Sequence, residues 1–165
     1  IKGFIGRMGI GVSSDDASLV LRGSETMTLR LRHQARVALQ FAERLASHPL
    51  IARVLHPALP GDSGHSLFCR DFIGASGVFS LAFPSEVAAA VAPALDSLRL
   101  FAIGASWGGT RSLVAPMPVR SNRTATAWQG ADVVLRLSIG LEDADELWED
   151  ICRFLTALHT IAGAA

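Results

Sequence analysis

Arg136 and the string Ser106-Trp107-Gly108-Gly109 are the residues of this chain best suited to chemistry on a small acid. A guanidinium offers a planar fork of N–H donors and grips a carboxylate through two parallel hydrogen bonds. A loop of small residues lets backbone approach a ligand, while one indole walls the pocket. Arg136 lies in Val133-Val134-Leu135-Arg136-Leu137-Ser138-Ile139. Strand alternation puts Val133, Leu135, Leu137 and Ile139 on one face and Val134, Arg136 and Ser138 on the other. The arginine therefore points away from the helix-covered core. Taken alone, the pattern also suits an arginine facing solvent from a half-exposed sheet. The Ser-Trp-Gly-Gly string alone also suits a tight turn with Trp107 buried as packing.

Other chemistries find less support. The histidines at 33, 48, 56, 65 and 159 are scattered, and His65 with Cys69 makes two ligands where a zinc site needs three or four. No Gly-x-Ser-x-Gly elbow occurs, and Gly6, Gly9 and Gly11 form neither a dinucleotide fingerprint nor a phosphate loop.

These residues need a scaffold, and periodicity supplies one. Ser13-Ser14-Asp15-Asp16 reads as a capped helix start, with Gly23 as its stop. A second, longer helix starts within 24–28 and runs to about 47. It carries an apolar stripe of Leu31, Ala35, Ala38, Ala42 and Leu45. Residues 52–55 form a short strand, 56–64 a loop and 63–72 a short helix. Val78–Phe83 alternates as a strand, and an alanine-rich helix follows Pro84 and ends by Asp96. Residues 100–103 form a strand that leads into the glycine loop. Two prolines and a polar composition mark 115–130 as a long loop. Asp143 with Glu146 forms a capping box for the last helix, whose stripe is Leu147, Ile151, Phe154, Leu158 and Ile161. The sum is an α/β (α+β) architecture, a small sheet covered by helices and preceded by a long helix.

Composition narrows the partners. Lys and Arg number 15 against 15 Asp and Glu, and Lys2 is the only lysine. A balanced charge with no basic stripe argues against nucleic acid. The apolar stretch 87–100 is broken by Pro93, Asp96 and Arg99, which argues against a membrane span. Two cysteines, Cys69 and Cys152, are too few for a disulfide framework, so a reducing cytoplasm is expected. Half the residues are hydrophobic and 18% are charged, so either the core is thick or apolar surface packs against a partner. The opening at Ile1, in mid-sequence style, suggests a piece of a longer protein.

Several strings then succeed one another with ordinary gaps: Leu21-Arg22-Gly23-Ser24-Glu25-Thr26-Met27, His48-Pro49, Val54-Leu55-His56-Pro57-Ala58-Leu59-Pro60 with Gly64-His65, Arg70-Asp71-Phe72, and Gly74-Ala75-Ser76-Gly77-Val78-Phe79-Ser80. Together with the Trp107 loop and the Arg136 strand they resemble the C-terminal part of the Cys/Met-metabolism family of pyridoxal-phosphate enzymes. Ser-Trp-Gly-Gly is similar to the form usual in the family's bacterial β-lyases, where γ-synthases and γ-lyases more often carry leucine for the tryptophan.

The resemblance implies the C-terminal domain of a fold-type-I enzyme with a small, mostly antiparallel sheet. Residues 1–28 would be the trailing end of the cofactor domain and 29–165 the small domain with its leading helix. It implies pyridoxal 5'-phosphate as cofactor, a sulfur amino acid as substrate and a homo-oligomer, tetrameric in the family. The implied reaction is the β-elimination of cystathionine to homocysteine, pyruvate and ammonia. Arg136 would bind the substrate α-carboxylate, with Ser106 and Trp107 lining the same subsite.

The family's Schiff-base lysine sits in a Ser-x-Thr-Lys segment, and Ile1-Lys2-Gly3-Phe4 does not match it. The chain alone is therefore expected to be inactive. Thr110-Arg111 stands where relatives commonly have an aromatic and a glutamate, and Ser24-Glu25 replaces Leu-Arg. These departures leave the exact sulfur amino acid open, including cysteine in a desulfhydrase or γ-lyase reaction. A non-catalytic amino-acid sensor or an interaction domain would also suit the residues.

Overall fold

The computed structural model describes residues 1–128 and 133–164, so the end of the expected 115–130 loop, residues 129–130, lies outside them. Helix α1 (Lys2–Arg7) buries no residue. Helix α2 (Ser14–Glu25) starts where its cap is written: Ser13 Oγ accepts the Asp16 N–H at 3.0 Å, and Asp15 and Asp16 lie in the first turn, at the positive end of the helix. Gly23 does not stop this helix. It keeps a helical backbone, because only Gly9 and Gly108 take positive φ among the described glycines, and its carbonyl accepts Arg30 Nη2 at 2.6 Å. An arginine from the next helix satisfies the end that a left-handed glycine would otherwise close.

Helix α3 (Met27–Leu45) buries Gln34, Val37, Ala38, Phe41, Ala42 and Leu45. The stripe is thus turned from the expected one, and Leu31 is 44% exposed. The cause is side-chain size. Burying Val37 and Phe41 contributes about 1.5–3 kcal/mol each, far more than Ala35 offers, and Phe41 meets Trp148 with ring centroids 5.3 Å apart.

The elements then alternate. Strand β1 (Arg53–Leu55) precedes α4 (His65–Asp71). Strand β2 (Val78–Phe83) precedes α5 (Ser85–Ala94) and a 3-10 turn (Leu95–Ser97). Strands β3 (Ala102–Ile103) and β4 (Leu113–Met117) are followed by the short α6 (Val119–Asn122), β5 (Val133–Ser138) and α7 (Ala144–Gly163). The sheet runs β1-β2-β5-β4-β3, antiparallel except where β3 meets β4. Helices α5 and α7 close one face, over Leu81, Leu135 and Leu137. Asp143 caps α7 by accepting the Asp145 and Glu146 N–H groups.

Two expectations need correction. The 115–130 stretch is not all loop, because Ala115, Pro116 and Met117 belong to β4. Pro116 is compatible with a strand here for a specific reason. Gly104 N donates to Val114 O, so even-numbered β4 residues turn their backbone toward β3. Strand β3 pairs only as far as Val114, and at Pro116 that side is an open edge where a missing N–H breaks no ladder bond. Second, Val134 and Ser138, expected on an open face with Arg136, are 3% and 1% exposed. Strand β5 is the middle strand, and Val134 lies between Ala82 and Met117 across the ladder.

The β3–β4 connection, residues 104–112, carries the Ser-Trp-Gly-Gly string. Parallel neighbours are ordinarily joined by a dozen or more residues, often a helix. This join has neither.

Candidate functional site

The site is built where that connection crosses the end of β5. Arg136 is flanked in register by Ser80 and Ala115, two small residues beside a long side chain. Its Nη2 donates to the carbonyls of Ala105 and, at 3.0 Å, Ser106. Its Nε is buried and has no hydrogen-bond partner. A guanidinium carries five N–H donors, and the two on Nη2 are spent on the loop. Nε–H and the Nη1 pair remain for an acceptor. Buried donors are nearly always paired, so the unpaired Nε–H is an exception among the guanidinium contacts.

The loop is held from three sides. Gly108 takes φ +77°, a conformation that favours glycine, and its N–H donates to Ser138 Oγ at 3.2 Å. The Gly109 carbonyl accepts Gln34 Nε2 at 2.7 Å, from helix α3. Glu142 closes the far end, taking the Ser112 N–H at 2.7 Å and the Ser112 hydroxyl at 2.8 Å, while Gly140 N donates to Ser112 Oγ at 2.8 Å. A methyl on Gly140 would lie 2.4 Å from the Thr110 carbonyl oxygen, so backbone meets backbone there.

Trp107 is 66% exposed, not buried as packing. It borders a cleft of about 240 Å³ with Met27, Arg30, Gln34, Val78 and Ser138. Arg136 and Ser106 therefore meet through a backbone carbonyl, and Trp107 lies between the residues so anchored. The Ser106 side chain is exposed and Arg111 is exposed at the end of the loop. Sequence reading missed Gln34, Ser112 and Glu142. Gln34 had a signal, a polar residue in line with the apolar positions 38, 41 and 45. Nothing in a spacing of 30 marks Ser112 and Glu142 as partners. Among the described residues no group of three His, Cys, Asp or Glu could hold a metal ion, and no helix is long and apolar enough to cross a membrane.

Residues 1–156 match the sequence profile of the Cys/Met metabolism PLP-dependent enzymes. Among curated relatives, cystathionine beta-lyase of Escherichia coli (strain K12) is 40% identical over 148 residues, which is 87% of this chain and 38% of that protein. An L-alanine/L-glutamate racemase of Wolbachia pipientis wMel is 36% identical over 152 residues, 91% of this chain and 38% of that protein. Among solved structures, cystathionine gamma synthase from Xanthomonas oryzae pv. oryzae in complex with cystathionine superposes with a TM-score of 0.80 at 34% identity. That match covers 93% of this chain and 41% of that one. The chain thus spans about two fifths of the length of the relatives it matches.

The residues present here do not fit a covalent pyridoxal phosphate site. The only lysine, Lys2, stands exposed on a helix that buries nothing. The cation bordering the Trp107 cleft, Arg30, donates through Nη2 to Gly23 O and through Nε to Thr26 Oγ1 at 3.2 Å. Arg136 is not among the residues lining that cleft, and its remaining N–H groups are of the kind that pair with a carboxylate.

Proposed function

The chain belongs to the Cys/Met metabolism family of PLP-dependent enzymes, and from that premise we propose that it is the C-terminal part of a carbon–sulfur lyase acting on cystathionine. The whole enzyme takes cystathionine and water to homocysteine, pyruvate and ammonia. This chain supplies the wall that holds the substrate by its α-carboxylate. Arg136 binds the acid, and Ser106 and Trp107 line the same subsite. Fixing the carboxylate orients the carbon beside it for proton removal, which is where an entropic advantage in such a reaction lies. The observation that carries the reading is the Arg136 guanidinium, seated by two loop carbonyls beside the Trp107 turn, with Nε–H unpaired.

Residues 1–28 are the trailing end of the cofactor domain, and the small domain comes after them. The fact that α1 and α2 bury nothing, while the buried stripe of α3 begins at Gln34, supports that division. The cofactor is held by the rest of the polypeptide, so the present chain alone neither binds it covalently nor catalyses. The enzyme is a homo-oligomer of the cytoplasm, and two unlinked cysteines, Cys69 and Cys152, suit a reducing compartment.

The test is product analysis on the full-length protein. Cystathionine should yield pyruvate and homocysteine in equal amounts. Release of 2-ketobutyrate, racemisation of alanine, or turnover of cysteine alone would each overturn the assignment.

A further inference from the structure

Gln34 has a position that neither the apolar stripe nor the carboxylate grip accounts for. It is 5% exposed, a polar side chain at the head of the buried face of α3. Its amide reaches across the fold to the Gly109 carbonyl at 2.7 Å. Opposite, Gly77 leaves it room: a methyl at Gly77 would lie 2.8 Å from Gln34 Cβ and 3.1 Å from the Ile139 carbonyl oxygen. Gly77 O in turn accepts the Ile139 N–H at 2.8 Å. Helix α3, the start of β2, the end of β5 and the Trp107 loop therefore meet at one side chain.

The anchors on the loop divide in an informative way. The carbonyls of Ala105 and Ser106 seat Arg136. The Gly108 N–H is held by Ser138, and the Gly109 carbonyl by Gln34. Trp107 lies between these fixed points, and its indole borders the same cleft that Gln34 lines. Among the described residues, only the Gln34 hydrogen bond ties this turn to α3. The other two anchors both come from β5.

We propose that Gln34 is a positioning residue for substrate recognition. By holding the Gly109 carbonyl from α3, it sets the wall that Trp107 presents to the cleft, and with it the space for the part of an amino-acid substrate beyond its first carboxylate. The proposal rests on reading the Trp107 cleft as the substrate subsite. It separates two functions on one loop: Arg136 holds the acid end, and the Gln34 bond sets how broad a side chain the cleft admits.

The test uses the full-length holoenzyme with Gln34→Met, which keeps length and loses the donor, and Gln34→Asn, which keeps the amide but is one methylene too short. Both should raise KM for cystathionine about tenfold, the effect of one lost hydrogen bond. Both should change kcat less than about twofold. Trp107 emission, taken as the difference from Trp107→Phe, should become more open to acrylamide quenching in both. If either variant fails to fold, the other is scored, and if both unfold while Gln34→Glu folds, that variant is scored on the same readouts.

Wild-type KM and quenching in a folded variant would overturn the proposal, as would equal falls in kcat and kcat/KM with KM unchanged. Loss of every folded variant would also overturn it, because Gln34 would then be a purely structural residue. If the wild-type enzyme processes an amino acid other than cystathionine, the lyase reading fails alone, and the Gln34 variants are scored on KM for that substrate.

Discussion

Two charged side chains, Asp150 and Arg136, each gather the backbone of a neighbouring loop, and they differ in what is left over. Asp150, on α7, is fully buried. Its carboxylate accepts the N–H groups of Arg99 at 2.9 Å, Leu100 at 2.8 Å and Phe101 at 3.0 Å, and it also pairs with Arg153. Every part of that carboxylate is used. Arg136 gathers the Ala105 and Ser106 carbonyls in the same manner but keeps a buried donor unpaired. The first arrangement is complete within the chain and serves the fold. The second leaves guanidinium N–H groups over, which the proposed function assigns to a substrate carboxylate. Satisfaction, more than burial or charge, distinguishes the two ions.

The contrast is open to attack, most forcefully at its structural end. Replacing Asp150 with Ala strands three backbone N–H groups and the Arg153 charge. It should lower stability by about 3–5 kcal/mol in urea unfolding, with Asp150→Asn recovering part of the loss. A loss under about 1 kcal/mol would erase the distinction. Arg136→Ala in the full-length enzyme should do the reverse. Stability should shift by less than about 1 kcal/mol, while kcat/KM falls by about 2–4 kcal/mol in transition-state binding, as for one lost charge contact. Unchanged steady-state kinetics would remove Arg136 from the site.

The smallest effect concerns an intermediate case. His56 is buried, its Nδ1 accepts the Ala58 N–H at 3.2 Å, and its Nε2 has no partner. Burial pushes its pKa below the ordinary 6.5, although Asp62 and Glu43 pull the other way. The unfolded chain therefore binds the proton more readily. The contribution to stability is present above about pH 6.5 and is lost as pH falls below it, with a slope no steeper than about 1.4 kcal/mol per pH unit. Urea midpoints at pH 7.5 and 5.5 should converge in His56→Gln, and equal pH responses in both proteins would contradict this.

Much of this architecture was legible from residue pattern. Ser13 and Asp143 sit at the caps their sequence announces, and Val78–Phe83 forms the strand its residue pattern predicts. The failures share a cause: tertiary partners overrode local signals. Gly23 continues a helix because Arg30 caps it from the next one. Pro116 joins a strand because β3 is too short to need its N–H. The α3 stripe turns toward Phe41 because Trp148 waits there. At the candidate site the strand and the loop were legible, since both are local strings. Gln34, Ser112 and Glu142 were not, because each acts through a contact between residues far apart in sequence.

The unusually short join between β3 and β4 has a last consequence. Residues 104–112 bridge strand ends that lie side by side, so chain length alone does not hold them in place. They are tied at Gly109 and Ser112 and lie close against Gly140, so the shape of the join is kept by cross-links and not by a taut chain.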